Sequence, residues 1–79
     1  MNIIPQTRRI EFHIAYDGDG EQHFLTRKEN GRFVQMSVPI SEAEAREIMS
    51  IDGRPDVESS RRNVGNGWSW MATRITEVQ

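Results

Sequence analysis

The sequence predicts a small α+β domain in which an antiparallel five-stranded sheet carries one helix packed on one face. Three observations predict this fold. Residues 8–16 alternate apolar and polar side chains, which is typical of a half-buried strand. Asn30-Gly31 is a strong hairpin signal, and Ser41-Glu42-Ala43-Glu44 matches the capping box that begins a helix. The predicted order over a single domain, residues 1–79, is β-β-β-α-β-β.

The first three strands are expected to form a meander. Asp17-Gly18-Asp19-Gly20 tolerates positive φ, so residues 8–16 and 22–27 should form a hairpin closed by a three-residue turn. After Asn30-Gly31 the third strand should run from Arg32 to Val38 and end at Pro39. Its apolar side chains are expected to share one face: Val34, Met36 and Val38.

The helix should begin after the Ser41 cap and run to about Ile51, with Gly53 as its C′ glycine. Residues 57–63 are predicted to be a short edge strand, because so long a stretch without structure would be unusual in a compact domain. Gly65-Asn66-Gly67 should turn the chain into a last strand over residues 68–78. That strand is apolar on both faces, so the sequence leaves open whether Trp68 and Trp70 or Met71 and Ile75 meet the helix.

Size and composition restrict the function. A chain of 79 residues, 35% hydrophobic and 28% charged, needs most of its apolar side chains for its own core. Few remain to line a deep substrate pocket, so an enzyme is not expected. There is no cysteine, and no apolar run approaches the ~18 residues that span a bilayer. We therefore expect a cytoplasmic protein, and its net charge of −2 argues against general coating of nucleic acid.

Residue types that support catalysis or cofactor binding have simpler explanations here. His13 and His23 should lie near each other across the first hairpin, both turned away from the apolar stripe of Ile10, Phe12 and Ile14, but two ligands make a weak metal site. Asp17, Asp19 and Glu21 are explained by turn chemistry rather than calcium binding. No nucleophile elbow or phosphate-binding loop is found, so the sequence predicts no catalytic residue, metal or other cofactor.

Arginine and tryptophan, which dominate binding energy at protein interfaces, occur close together near the end of the chain. The helix region is acidic and could meet a positively charged partner surface. The sequence therefore predicts a protein-binding surface composed of Glu42, Glu44, Glu47, Asp52, Arg61, Arg62, Trp68 and Trp70. The purely structural alternatives are a core role for the tryptophans and protection of an edge strand by the arginines.

A nucleic-acid-binding domain is the second hypothesis. Arginines would contact phosphates and tryptophans would stack on unpaired bases, using Arg54, Arg61, Arg62, Trp68 and Trp70. The acidic helix would repel a phosphate backbone, so a protein partner fits the charge pattern better. The oligomeric state stays open, because nothing in the sequence says whether either edge of the sheet is covered.

The overall plan resembles the small inhibitor proteins encoded by phages, of which anti-CRISPR proteins are the best-known group. The resemblance rests on short length, absent cysteines, acid excess, and the stretches Ser41-Glu42-Ala43-Glu44 and Asn66-Gly67-Trp68-Ser69-Trp70. It carries over no functional residue. It implies stoichiometric binding to a CRISPR effector complex, at a basic surface that otherwise engages guide or target nucleic acid.

Overall fold

The structure is a computed structural model that describes residues 6–78, with side chains over residues 7–76. The described residues form five antiparallel strands and one helix, which confirms the predicted α+β fold class. Residues 1–5 and 79, at the two ends of the predicted single domain, lie outside the described residues. The elements are β1 (Gln6–Asp17), β2 (Gln22–Glu29), β3 (Arg32–Ile40), α1 (Glu42–Met49), β4 (Val57–Val64) and β5 (Gly67–Val78).

The sheet has the strand order β3-β2-β1-β5-β4. The meander β1-β2-β3 forms one half, and the hairpin β4-β5 joins it where β5 pairs with β1 over residues 6–16. The helix α1 follows β3 and precedes β4, so it connects the two edge strands across one face of the sheet.

The register places the core on the face that α1 covers, here called the inner face. Ile14 lies opposite Leu25 on β2 and Trp70 on β5, and directly paired residues share a face. Ile14 and Trp70 are almost fully buried, and Ala45 of α1 is 2% exposed. Burial of large side chains such as Ile14 and Trp70 supplies about 1.5–3 kcal/mol each, so this cluster stabilises the contact between helix and sheet.

The last strand turns its tryptophans inward, which resolves the choice that the sequence left open. The indole Nε1–H of Trp70 donates to both carboxylate oxygens of Asp52, at 3.1 Å each, just after α1. Met71 and Ile75 point to the opposite face, here called the outer face, and are 53% and 56% exposed. Within the described residues no element packs on the outer face.

The predicted end of β3 and the predicted end of the helix were both wrong. Pro39 does not end β3: the strand continues to Ile40, because an edge strand tolerates a residue without an N–H. The helix ends at Met49 rather than near Ile51, with the hydroxyl of Ser50 donating to the carbonyl of Glu47 at 2.6 Å. Gly53 has φ +84° but lies in the following turns rather than at the helix C′ position.

The predicted shared face of β3 is also wrong. The pairing of β2 with β3 shifts twice between Leu25 and Lys28, and Ser37 has φ +46°. Such a bulge breaks the alternation of side chains. Val38 therefore packs against the core, whereas Val34 and Met36 are 54% and 66% exposed.

The helix is short for the sheet it covers. Eight residues of helix span about 12 Å, whereas twelve residues of strand span about 40 Å. The inner face therefore extends beyond α1. In the described part of the chain, no helix is long and apolar enough to cross a membrane.

Candidate functional site

An open groove lies on the inner face, between α1 and the ends of β1, β2, β4 and β5. Its volume is about 760 Å³. Apolar side chains from the end of β3 and one side of α1 contribute to its lining, namely Ile40, Ala45 and Met49. The groove exists because the short helix leaves this end of the sheet partly uncovered.

Three aromatic rings form one wall of the groove. Tyr16 lies opposite His23 on β2 and opposite Trp68 on β5, so the sheet register holds the three side chains side by side. The Tyr16 and Trp68 rings stack with centroids 5.8 Å apart and an angle of 21° between planes. His23 meets Tyr16 at 4.6 Å and Trp68 at 5.7 Å. Such contacts are each worth about 0.5–1.5 kcal/mol, so the wall is pre-organised.

Arg61 of β4 extends this wall. Its guanidinium carbon lies 4.5 Å from the centre of the Trp68 ring, a cation–π contact. Arg61 forms no salt bridge within the described residues. Stacking orients the planar guanidinium while leaving its N–H groups able to donate to a carboxylate.

The opposite rim is the first turn of α1. Ser41 caps the helix by accepting from the N–H of Glu44 at 3.1 Å, and the carboxylate of Glu44 accepts from the N–H of Ser41 at 3.4 Å. Glu42 forms an exposed ion pair with Arg46 at 2.8 Å. Both Glu42 and Arg46 line the groove, so opposite charges face the solvent on this rim.

The structure brings three of the eight predicted partner-binding residues to the groove: Glu42, Arg61 and Trp68. The acidic side chains of Glu44 and Glu47 are exposed elsewhere on α1. Arg62 pairs with Ser69 and lies on the outer face.

Trp70 corrects the prediction that its side chain is available to a partner. It is 1% exposed, because its position on β5 faces Ile14 in the core. Asp52 is occupied in accepting the hydrogen bond from this indole, so both residues hold the helix to the sheet.

The five residues of the nucleic-acid hypothesis do not form one surface. Trp70 is buried, and Arg61 and Arg62 point to opposite faces of β4. The guanidinium of Arg61 already covers one side of Trp68. A continuous arginine and tryptophan platform for stacked bases is therefore not present among the described residues.

The two histidines are on opposite faces of the sheet, which corrects their predicted proximity. The pair Asp17 and Gln22 closes a four-residue turn rather than a three-residue one. His23 consequently joins the inner face beside Tyr16, whereas His13 lies on the outer face, with its Nε2 2.7 Å from the hydroxyl of Ser69.

Tyr16 and His23 belong to the groove but were not singled out as binding residues from the sequence. In the sequence Tyr16 is only one of the apolar residues that alternate over residues 8–16, and the position of His23 depends on the turn length. The signal that could have identified both residues is the length of the turn, since a four-residue turn places His23 opposite Tyr16.

The acidic turn after β1 forms its own hydrogen bonds. The carboxylate of Asp17 accepts from the N–H of Asp19 at 3.0 Å, and that of Asp19 accepts from the side-chain amide of Asn66 at 2.7 Å. These contacts fit the turn chemistry predicted for this segment. Over residues whose side chains are described, no three histidine, aspartate or glutamate side chains cluster as metal ligands would.

Comparisons with protein-family models, with curated proteins and with solved structures found no match to this chain.

Proposed function

We propose that this protein is a non-enzymatic protein-binding module that holds a segment of another protein in the groove beside α1. The observation that carries the proposal is the placement of Arg61 on Trp68 at the edge of an open groove. Tryptophan, tyrosine and arginine are the residues most enriched at binding hot spots, and the groove combines all three.

The geometry indicates what such a segment would present. The stacked rings of Tyr16 and Trp68 offer a flat apolar surface, suited to an aliphatic or aromatic side chain. Arg61 lies beside that surface and suits a carboxylate. Because the wall is already ordered by ring contacts, binding would cost little side-chain entropy.

The experiment is affinity capture followed by mass spectrometry, using a groove variant and a matched control. The groove variant combines Arg61→Glu with Trp68→Ala. The control combines Lys28→Glu with Phe33→Ala, because these residues form a cation–π pair at 4.5 Å on the outer face. Both variants therefore remove one ring and reverse one charge.

A partner held in the groove should be recovered by the wild type and the control but lost by the groove variant. Affinity measured with the purified partner should fall at least about 30-fold, which corresponds to the loss of one hot spot. Equal recovery by the groove variant and the wild type would contradict the proposal.

The narrower proposal is that the partner is a CRISPR effector complex and that binding inhibits it, as the anti-CRISPR resemblance implies. The acid excess of α1 supports a basic partner surface, since Glu42, Glu44 and Glu47 face only Arg46 on that helix. Purified effector complexes should lose target-DNA binding at stoichiometric amounts of the protein. Full DNA binding at a tenfold excess would exclude the effectors tested and leave the broader proposal in place.

A further inference from the structure

The two edges of the sheet differ in how far they are open to another strand. On β3 the register shifts twice, Ser37 has positive φ, and Pro39 has no N–H to donate. Bulges and prolines are two of the features by which proteins block an edge. On β4 the eight residues pair with β5 in unbroken register, from Val57 with Arg74 to Val64 with Gly67. The β4 edge therefore presents a regular ladder that contains neither a bulge nor a proline.

The backbone of β4 is also unoccupied on its outward side. Apart from its pairing with β5, the one backbone hydrogen bond of β4 within the described residues runs from the N–H of Val57 to the carbonyl of Arg54 at 3.1 Å. In an edge strand alternate N–H and C=O groups face away from the sheet. These groups could pair with a further strand.

Two charged side chains on β4 have no partner within the described chain. Glu58 lies opposite Thr73 and Arg62 opposite Ser69, both on the outer face, and neither forms a salt bridge among the described residues. Four residues of strand separate their positions by about 13 Å, so they are too far apart to pair with each other.

The charge pattern is self-complementary about Ser60. If β4 meets a second copy of itself antiparallel, with Ser60 on the two-fold axis, Glu58 of each copy lies opposite Arg62 of the other. Two opposite-charge cross-strand pairs then form on the outer face. Directly opposed pairs of this kind stabilise a sheet, and an isologous interface repeats each contact.

Neighbouring registers fit less well. With Arg61 on the axis, two arginines would oppose each other. With Ser59 on the axis, Arg62 would oppose Asp56, which already accepts from Arg74 at 2.8 Å, and Glu58 would oppose Ser60. Only the register centred on Ser60 satisfies both unpaired charges.

We propose that β4 pairs antiparallel with β4 of a second copy, in the register that places Glu58 opposite Arg62, to form a dimer with a continuous ten-stranded sheet. The proposal is independent of the partner assigned to the groove, because Glu58 and Arg62 lie on the face opposite to it. The side chains that determine self-association are therefore distinct from those that line the groove.

Sedimentation of the purified protein over a range of concentrations tests the proposal. A dimer has twice the chain mass of 9.1 kDa. Glu58→Arg and Arg62→Glu should each weaken dimerisation about tenfold to a hundredfold, because each replaces two attractive pairs by two repulsive ones. The double variant Glu58→Arg with Arg62→Glu should restore it. A wild-type monomer up to about 1 mM, or a dimer indifferent to the single reversals, would overturn the proposal.

A disulfide test keeps the proposal falsifiable if a charge variant fails to fold. The chain has no cysteine, so Ser60→Cys introduces a single thiol on the proposed axis. Directly opposed strand residues have Cα atoms about 4.5–5.5 Å apart, which a disulfide can bridge. Mild oxidation should cross-link Ser60→Cys at least tenfold faster than Glu47→Cys, whose position on α1 is exposed. Equal rates would contradict the register.

Discussion

At the scale of single residues, the meeting of two chain turns depends on the absence of side chains. Gly67 begins β5 beside the end of β1, and a Cβ atom there would lie 1.7 Å from the carbonyl oxygen of Tyr16. Gly18 has the same role in the first turn, because a Cβ atom there would lie 2.0 Å from the carbonyl oxygen of Asn66. These approaches hold the groove end of β1 against β5, where Tyr16 and Trp68 stack.

The substitution Gly67→Ala should therefore lower the free energy of unfolding by about 3 kcal/mol or more, because backbone atoms cannot move aside as a flexible side chain could. Gly65→Ala is the control. Gly65 has φ +56° with open space around it, so alanine there should cost only about 1 kcal/mol of backbone strain. Urea unfolding followed by tryptophan fluorescence measures both. Equal losses would contradict the close approach.

A second prediction concerns the hydrogen bond that links α1 to the sheet. Asp52→Ala leaves the indole N–H of the buried Trp70 without its acceptor and should lower the free energy of unfolding by about 1–2 kcal/mol. Asp52→Asn retains an acceptor oxygen and should cost less than half of that. Chemical denaturation with Glu47→Ala as the exposed control tests this. A loss for Asp52→Ala no larger than for Glu47→Ala would show that the bond contributes nothing.

Residue roles were the part of the structure least predictable from sequence. The sequence predicts either a core or an interface role for the tryptophans, and the structure divides them: Trp70 is buried, whereas Trp68 lines the groove. Composition cannot make that distinction, since it depends on where α1 ends relative to β5. Asp52 is exposed, as an acidic surface residue should be, but its bond to Trp70 joins residues 18 positions apart, so no local pattern predicts that bond.

At the scale of elements, local signals predicted most of what forms. The capping box at Ser41 is present in full, because its hydrogen bonds involve only residues within one turn. The bulge in β3 was missed because it arises from pairing with β2 rather than from the sequence of β3 alone. The turn after Asp17 was predicted one residue short, which was enough to place His23 on the wrong face.

The cap of α1 gives a prediction at this scale. Ser41→Ala removes the acceptor of the Glu44 N–H and should lower the free energy of unfolding by about 1 kcal/mol. Ser41→Asp keeps an acceptor and should retain most of the stability. Thermal and urea unfolding followed by far-ultraviolet circular dichroism would measure this. Equal destabilisation by both substitutions would show that the cap is not what stabilises the start of α1.

At the scale of the whole molecule, the decisive feature is the mismatch between a helix of eight residues and strands of up to twelve. The strand count and helix position could be predicted, but the order β3-β2-β1-β5-β4 depends on β1 pairing with β5, about 60 residues away. The groove follows from that pairing, because it brings Tyr16 beside Trp68. Because β4 pairs with β5, Arg61 of β4 is also placed at the groove. No local pattern contains this information.

The most direct test of groove binding is nuclear magnetic resonance of the labelled protein with its captured partner. The chain has two indole N–H signals, and we predict that the signal of Trp68 shifts or broadens while that of Trp70, buried and bonded to Asp52, stays in place. Backbone signals of Tyr16, His23 and Arg61 should change with Trp68. Changes confined to outer-face residues such as His13 and Met71, with the Trp68 indole unaltered, would contradict the account.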